Sequence, residues 1–439
     1  MTGSAAEAAR AAVAGVLADL RDPGHRGVVV DSPPGAGKTT LVVRAAAQLA
    51  AAGDPVIIIA QTNEQVDDLV DRLATANPTM AVGRLSSTRY EPSARVAGHP
   101  NVTVRSRIGD LGQARVTVGT AAKWATVTDG TWPWAIVDEA YQMRSDALLR
   151  VAGRFERALF VGDPGQLDPF STVDGERWAG LTWDPMQSAV AVLLRHNPTL
   201  PVHRLPVSWR LPPSAATLVA GAFYPFAGFT AGTAPEDRHL RLLDRAADRA
   251  QPAEDAAVEL AARTGWALYE LPPRYTPRTD TEAAHACARL ATRLLARGAV
   301  AVSESGPGSV PVTASRIAIG AAHRDQVAAI RALLPAAAAD VTVDTANRLQ
   351  GREFDVTVVL HPLSGRRDAT AFHLETGRLC VLTSRHRHAC LVVARAGIAD
   401  LLDEHPPTDR VQLNVPVKFP DGWEANQSVL AHLAAHRVG

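Results

Sequence analysis

Cysteine is scarce. Three residues in 439, Cys287, Cys380 and Cys390, are too few and too scattered for a disulfide framework or a cysteine metal cluster. Free thiols in a reducing compartment are expected instead. An excess of one charge is lacking too: forty-five basic residues balance forty-five acidic ones, so composition makes no global case for a polyanionic partner. A neutral chain can still carry a local basic channel. No stretch approaches the roughly eighteen apolar residues of a membrane span. The N-terminus shows no basic segment leading into an apolar core; alanine-rich Ala5 to Leu20, with Glu7, Arg10 and Asp19 interspersed, reads as helix. These absences point to a cytoplasmic protein with no membrane partner.

What is present is a chain long enough for two domains, 46% apolar and 21% charged, the figures of a globular protein. Val28-Val29-Val30 is an apolar run entering a Ser-Pro-Pro-Gly loop, and Thr39 to Ala52 follows as helix. Val56 to Ala60 reads as a second buried strand and Glu64 to Ala74 as a second helix. Strand signals recur at Val116 to Val118, Ala135 to Val137 and Ala158 to Val161. This α/β alternation predicts mostly parallel sheets with helices on both faces. Periodicity weakens over 82–113, where arginine, glycine and proline accumulate, and a short insertion is expected there. Its Arg84, Arg89, Arg95, Arg105 and Arg107, with Arg115 just beyond, give a basic bias that suits contact with a strand or a solvated face equally. The first domain is placed at 1–204 and a second at 205–405, entered through a long connection from Gly228 to Ala262. Within the second, Trp266 to Leu271, Ser315 to Gly320, Val356 to Leu360 and Cys390 to Val393 read as strands. Residues 406–439 read as a peripheral C-terminal extension.

Ser32-Pro33-Pro34-Gly35-Ala36-Gly37-Lys38-Thr39 stands between strand and helix, the context of a phosphate-binding loop. Gly35 and Gly37 allow the backbone to curl with its N–H groups inward, and the helix that follows adds the positive end of its dipole. Pro34, Gly35, Ala36, Gly37, Lys38, Thr39 and Thr40 are therefore the candidate nucleotide contacts. Lys38 would reach the β- and γ-phosphates, and the Thr39 hydroxyl would ligate Mg2+. Ser32 stands where the motif's first glycine is usual, which requires negative φ there. A hundred residues on, Asp138 and Glu139 end a buried strand. Asp138 is assigned to the metal and Glu139 to general-base duty. ATP and Mg2+ are the expected cofactors.

These motifs, with Gly162-Asp163-Pro164-Gly165-Gln166-Leu167-Asp168-Pro169, resemble motifs I, II and III of superfamily 1 helicases. The similarity is strongest to the branch of the nonsense-mediated-decay RNA helicases and their DNA-acting relatives. The resemblance implies two RecA-like P-loop domains with AAA-type ATP binding. It assigns Gln166 to sensing the γ-phosphate and linking hydrolysis to the nucleic-acid groove. Ser208-Trp209-Arg210 resembles the segment whose arginine reaches the γ-phosphate from the facing domain. Ile319 to Ile330, with His323, Arg324 and Gln326, resembles motif IV, and Val343 to Asp355 resembles motif V. In the latter, Glu353 is expected near the ribose or the coupling network. Arg378 to Ala394 resembles motif VI, with Ser384-Arg385 in place of Thr-Arg, which makes Arg385 the second arginine finger.

By the same resemblance, Thr62 and Thr120 at the ends of first-domain strands, and Thr345 in the second domain, would hold backbone phosphates of single-stranded DNA or RNA. Lys123 would add charge beside Thr120. Trp124 is divided between a stacking surface and a core position. Two features depart from the family: residues 1–30 hold no glutamine where the adenine-reading one is expected, and no long insertion separates Gln142 from Arg210. The expectation is an ATPase that moves along or unwinds nucleic acid, as a monomer or in a larger complex. An ATP-driven switch or remodelling protein without unwinding is the first alternative, and a degenerate structural or interaction protein the second.

Overall fold

The computed structural model of the chain describes residues 2–167, 187–243, 251–304, 308–405 and 421–438. Short apolar runs closed by polar or glycine-rich turns form β1 (Gly27–Asp31), β2 (Val56–Ala60), β3 (Val82–Leu85) and β4 (Val102–Arg105). Then come β5 (Val116–Thr120), β6 (Trp132–Asp138), β7 (Phe155–Gly162) and β8 (Val202–Arg204). These eight make one sheet in the order β4-β3-β5-β2-β6-β7-β1-β8, and its pairings are parallel. Parallel strands covered on both faces must be apolar on both. Val28 and Val30 pack with Leu41, Val42 and Val66 on one side; Val29, Ile57 and Ile59 meet Trp124, Tyr141 and Met143 on the other.

The segment 82–113 is not separate from the first sheet. Its β3 and β4 are the margin of this sheet, with β3 paired to β5. The arginine that broke the apolar pattern is absorbed into the fold. Arg84 is fully buried, donates to Asp67 and Asn63, and lies 3.6 Å from the Tyr90 ring centroid. Arg95 pairs with Asp68 on the adjoining helix, Asn63–Ala76.

Eleven further strands follow: β9 (Val207–Ser208), β10 (Thr230–Ala231), β11 (His239–Leu242), β12 (Trp266–Leu271), β13 (Ala299–Val302) and β14 (Ser309–Pro311), then β15 (Ile317–Ala321), β16 (Thr342–Thr345), β17 (Phe354–Leu360), β18 (His386–Arg395) and β19 (Arg437–Val438). The second large sheet runs β16-β15-β17-β18-β12-β19 and is parallel in its pairings. A small antiparallel sheet, β11-β13-β14, flanks it. The stretch from Gly228 to Ala262, read as a connection, supplies β10, β11 and most of the helix Pro252–Thr264; its residues 244–250 lie outside the described residues.

Nor is the described end of the chain peripheral. The helix Gly422–Ala434 places Ala425, Val429 and Leu433 in the same core as Phe223 and Leu402, and β19 extends the second sheet beside β12. The polar run Asn426-Gln427-Ser428 disguised this helix, three of whose seven apolar residues are alanine. Residues 406–420 lie outside the described residues. All three cysteines are buried and unpaired. No described helix is long and apolar enough to cross a membrane.

Candidate active site

The loop after β1 is shaped by its glycines. Gly35 and Gly37 have φ of 73° and 91°, a left-handed conformation that a side chain disfavours. Gly37 is the N-cap of the helix Lys38–Ala51 and offers no side-chain cap. The first-turn amides thus remain available to an anion. Ser32 keeps negative φ, as its position requires, and its N–H donates to Gly162 O at 2.8 Å. Its buried hydroxyl has no hydrogen-bond partner.

β6 lies one strand from β7 and two from β1, so its C-terminal end faces the loop. Lys38 Nζ donates to Glu139 Oε1, forming a largely buried ion pair. Burial alone would lower the Lys38 pKa, but Glu139, Asp138 and Asp163 outweigh it and raise it. Burial pushes the Asp138 carboxyl up to about 6, with Lys38 opposing and Glu139 adding to the shift. Asp138 Oδ1 is buried without a hydrogen-bond partner. Glu139 has φ of 51°, the one positive φ outside glycine among the described residues. A non-glycine held there costs on the order of 1–3 kcal/mol, the kind of strain found where a side chain must be aimed.

The loop after β7 is wedged between domains. Asp163 is buried and accepts from Gly165 N–H (2.8 Å), the Tyr224 hydroxyl (2.6 Å) and Gln166 Nε2 (2.5 Å). Burial raises its pKa in spite of these donors. Gln166 Oε1 in turn accepts from Gln350 Nε2 at 2.7 Å, which ties the first domain to the turn after β16. Gly165 is required here, since a Cβ would stand 2.0 Å from the Tyr224 ring. Tyr224 and Gln350 were not foreseen as partners; the glycine of Asp-Pro-Gly-Gln was the available signal. Asp168 and Pro169 of this motif lie outside the described residues.

From the second domain, Ser208 Oγ donates to Pro34 O (2.6 Å) and Trp209 N–H to Gly35 O (2.9 Å). Arg210 lies so close that a Cβ on Gly35 would come within 2.2 Å of its own Cβ. The Arg210 guanidinium donates to Glu353 (3.1 Å), which Arg387 also contacts at 3.3 Å. Burial would raise the Glu353 pKa, but the two arginines hold it below the usual carboxylate range. Glu353 is thus found in an arginine bracket. Arg385, at the start of β18, is 1% exposed. Its Nη2 donates to Ser384 Oγ at 2.8 Å, whereas Nε and Nη1 have no partner. Burial and nearby Arg210 lower its pKa to about 10, so it stays cationic at neutral pH.

Further along the same edge of the sheet, beyond β6, β2 and β5 are paired with Ala60 beside Thr120. The Thr62 hydroxyl accepts from Gln65 N–H in a capping box, and Thr120 Oγ1 accepts from Lys123 N–H. Both hydroxyls keep a proton to donate. Thr345 ends β16 on the second sheet. Trp124 is fully buried, its Nε1–H given to Ile58 O at 3.1 Å, so it offers no stacking surface. Trp209, to which the resemblance gives no role beside Arg210, is 38% exposed next to the loop after β1.

Comparison with known proteins agrees with this architecture. A family model described as an AAA domain matches residues 10–189, and a second AAA-domain model matches residues 193–397. No curated protein matches the chain. Among solved structures, the PRRSV helicase is 15% identical, with a TM-score of 0.44 over 88% of this chain and 54% of that one. The Arterivirus nonstructural protein 10 helicase gives the same identity and TM-score over 92% and 64%. Its complex with DNA does likewise over 89% and 63%. The chain thus spans between half and two thirds of the length of these viral proteins. Its two halves are AAA-type P-loop domains, mostly parallel sheets flanked by helices, and the first carries a nucleotide-binding and hydrolysis motif.

Proposed function

We propose that this chain hydrolyses ATP in the cleft between its two domains and couples closure of that cleft to movement along, or separation of, nucleic-acid strands. The observation that carries this reading is Arg385, a buried cation with two unmet donors in the electrostatic reach of Asp163 and Arg210. A buried polar group without partners is costly; phosphate oxygens would supply the missing acceptors. Arg385 and Arg210 then stabilise charge developing on the transferred phosphoryl group, and only when the second domain is in place.

In this reading Pro34 to Thr40 hold the phosphates. Asp138, through its unpartnered Oδ1, and Thr39, through its hydroxyl, fit a Mg2+ ion, which when bound neutralises phosphate charge. Lys38 leaves Glu139 for the β- and γ-phosphates, and the freed Glu139 carboxylate takes the proton of the attacking water. Gln166 reports the γ-phosphate to Gln350, and through the turn after β16 to Thr345. Thr62, Thr120 and Lys123 hold the strand on the first domain. Trp209 offers a flat face for a base, which suits the absence of an upstream glutamine.

Steady-state ATP hydrolysis with and without single-stranded DNA or RNA at low salt tests the reading. Several-fold stimulation is expected; no stimulation would favour an ATP-driven switch. Lys38→Ala is expected to reduce turnover at least about a thousandfold, and persistent hydrolysis in that variant would remove the assigned site.

A further inference from the structure

Behind the segment that carries Arg210 stands a buried arginine that none of these roles uses. The segment begins in β9, a strand of two residues. Its ladder with β10 ends at Ser208, whose carbonyl accepts from Gly232 N–H at 2.8 Å. Past that rung the chain still has to present Trp209 and Arg210 to the loop after β1.

Arg238 supplies what the ladder does not. Its side chain is 2% exposed. Nη2 donates to Trp209 O at 2.7 Å, and Nη1 donates to Arg210 O. Nε donates to Glu304 Oε2 at 2.8 Å, and Nη2 also donates to Glu304 Oε1. Two successive carbonyls and a carboxylate thus surround one planar guanidinium, an arrangement that the point charge of a lysine cannot reproduce. The small antiparallel sheet brings the partners together. β11 starts at His239, which pairs with Val302 of β13, so Arg238 and Glu304 stand just past the same end of that pairing. The carboxylate offsets the buried positive charge, and Arg238 holds the Glu304 carboxyl below the usual carboxylate range.

A buried ion pair is a poor device for stability alone, since apolar residues of similar volume often serve as well. What distinguishes this one is where its main-chain bonds fall, on the residue read as a flat face for a base and on the residue read as a finger. The Arg210 guanidinium lies against Glu353 at 3.1 Å and has to change partner to reach a phosphate. A side chain that swings keeps its aim only if the main chain beneath it stays still. A misplacement of about 1 Å at such a group costs on the order of a hundredfold in rate.

We propose that Arg238 is a positioning residue for the Arg210 finger: it clamps the carbonyls of Trp209 and Arg210, and so fixes the point from which the finger enters the phosphate site. The proposal rests on the reading of Arg210 given above and adds a residue that touches no substrate itself. The test is a double-mutant cycle on the full chain, with kcat and KM for Mg-ATP measured for Arg238→Lys, Arg210→Ala and the two combined. Arg238→Lys keeps the charge beside Glu304 but cannot span both carbonyls. It is expected to lower kcat about tenfold to a hundredfold. KM should shift less than about threefold, because Trp209 keeps its N–H bond to Gly35 O and its packing on Gly232. In the Arg210→Ala background the same substitution should lower kcat less than about twofold, since no finger is left to aim.

Glu304→Gln, at an exposed position, loosens the clamp from its far side and carries the same cycle should Arg238→Lys fail to fold. If the clamp variant lowers kcat by the same factor with and without Arg210, or leaves kcat unchanged, Arg238 serves the fold alone. The proposal is then overturned, while the proposed function stands. If Arg210→Ala itself leaves kcat at the wild-type value, Arg210 is no finger, and that reading falls together with this one.

Discussion

Lys38 and Glu139 neutralise one another in the cleft, and Asp138 sits beside them as a carboxyl whose charge burial opposes. Its pKa, near 6 in the fold, is above the ordinary value of 3.8, so the folded protein binds this proton more tightly than the unfolded chain does. The contribution of Asp138 to stability is therefore greatest at low pH, falls as pH rises from about 3.8 to about 6, and is flat above. Cation binding needs the ionised form. An acid limb near pH 6 is expected in kcat/KM for Mg-ATP; a limb near pH 4 would show that Asp138 is not the metal carboxylate.

Arg385 makes the opposite trade. A buried cation lacking two partners lowers stability, and its retention suits a catalytic task. Arg385→Met is expected to lower kcat by about a thousandfold or more while holding or raising the melting temperature. A large loss of stability with unchanged kcat would make this arginine structural.

At the scale of elements, the sequence was most legible where the signal is local. β2 and β12 fall on the residues read as strands, Val56 to Ala60 and Trp266 to Leu271, because β-branched and aromatic side chains between turns favour a pleated, buried surface. The margin of the first sheet was not legible. Val-Gly-Arg-Leu reads as a polar loop until Asp67, fifteen residues upstream of β3, is seen to neutralise Arg84. Thr62 shows the same limit: its helix-starting position is a local pattern, whereas its use by a strand depends on what stands opposite.

The loop after β7 is one of the elements that join the domains. Gln350→Ala removes the bond to Gln166 without touching the phosphate loop. Strand-stimulated hydrolysis is expected to fall several-fold more than basal hydrolysis. Equal effects on both rates would show that this contact carries no signal.

Over the whole molecule, the second domain is completed from the far end of the chain. Leu433 is fully buried in the core that contains Phe223, Leu379 and Leu402. Leu433→Ala should cost about 2–5 kcal/mol, seen as a lower melting temperature by roughly 2–4 °C per kcal/mol. A change under about 1 °C would place the helix Gly422–Ala434 outside the cooperative unit. Because helix Pro213–Phe223 leads directly into Tyr224, which bonds Asp163, loosening this core is also expected to loosen the cleft.

Sequence alone determined the two α/β domains, the glycine loop between strand and helix at Gly35 and Gly37, and the strand that ends in Asp138. Each of these rests on spacing within one strand, turn or helix start, where backbone geometry is set by near neighbours. Tertiary structure decided which side chains already have partners. It spent Arg84 and Trp124 inside the first domain, bracketed Glu353 between Arg210 and Arg387, and left Asp138 Oδ1 and Arg385 unsatisfied. A residue's type says what it can bond, but only the packed surroundings determine whether that capacity is used within the fold or kept for a ligand.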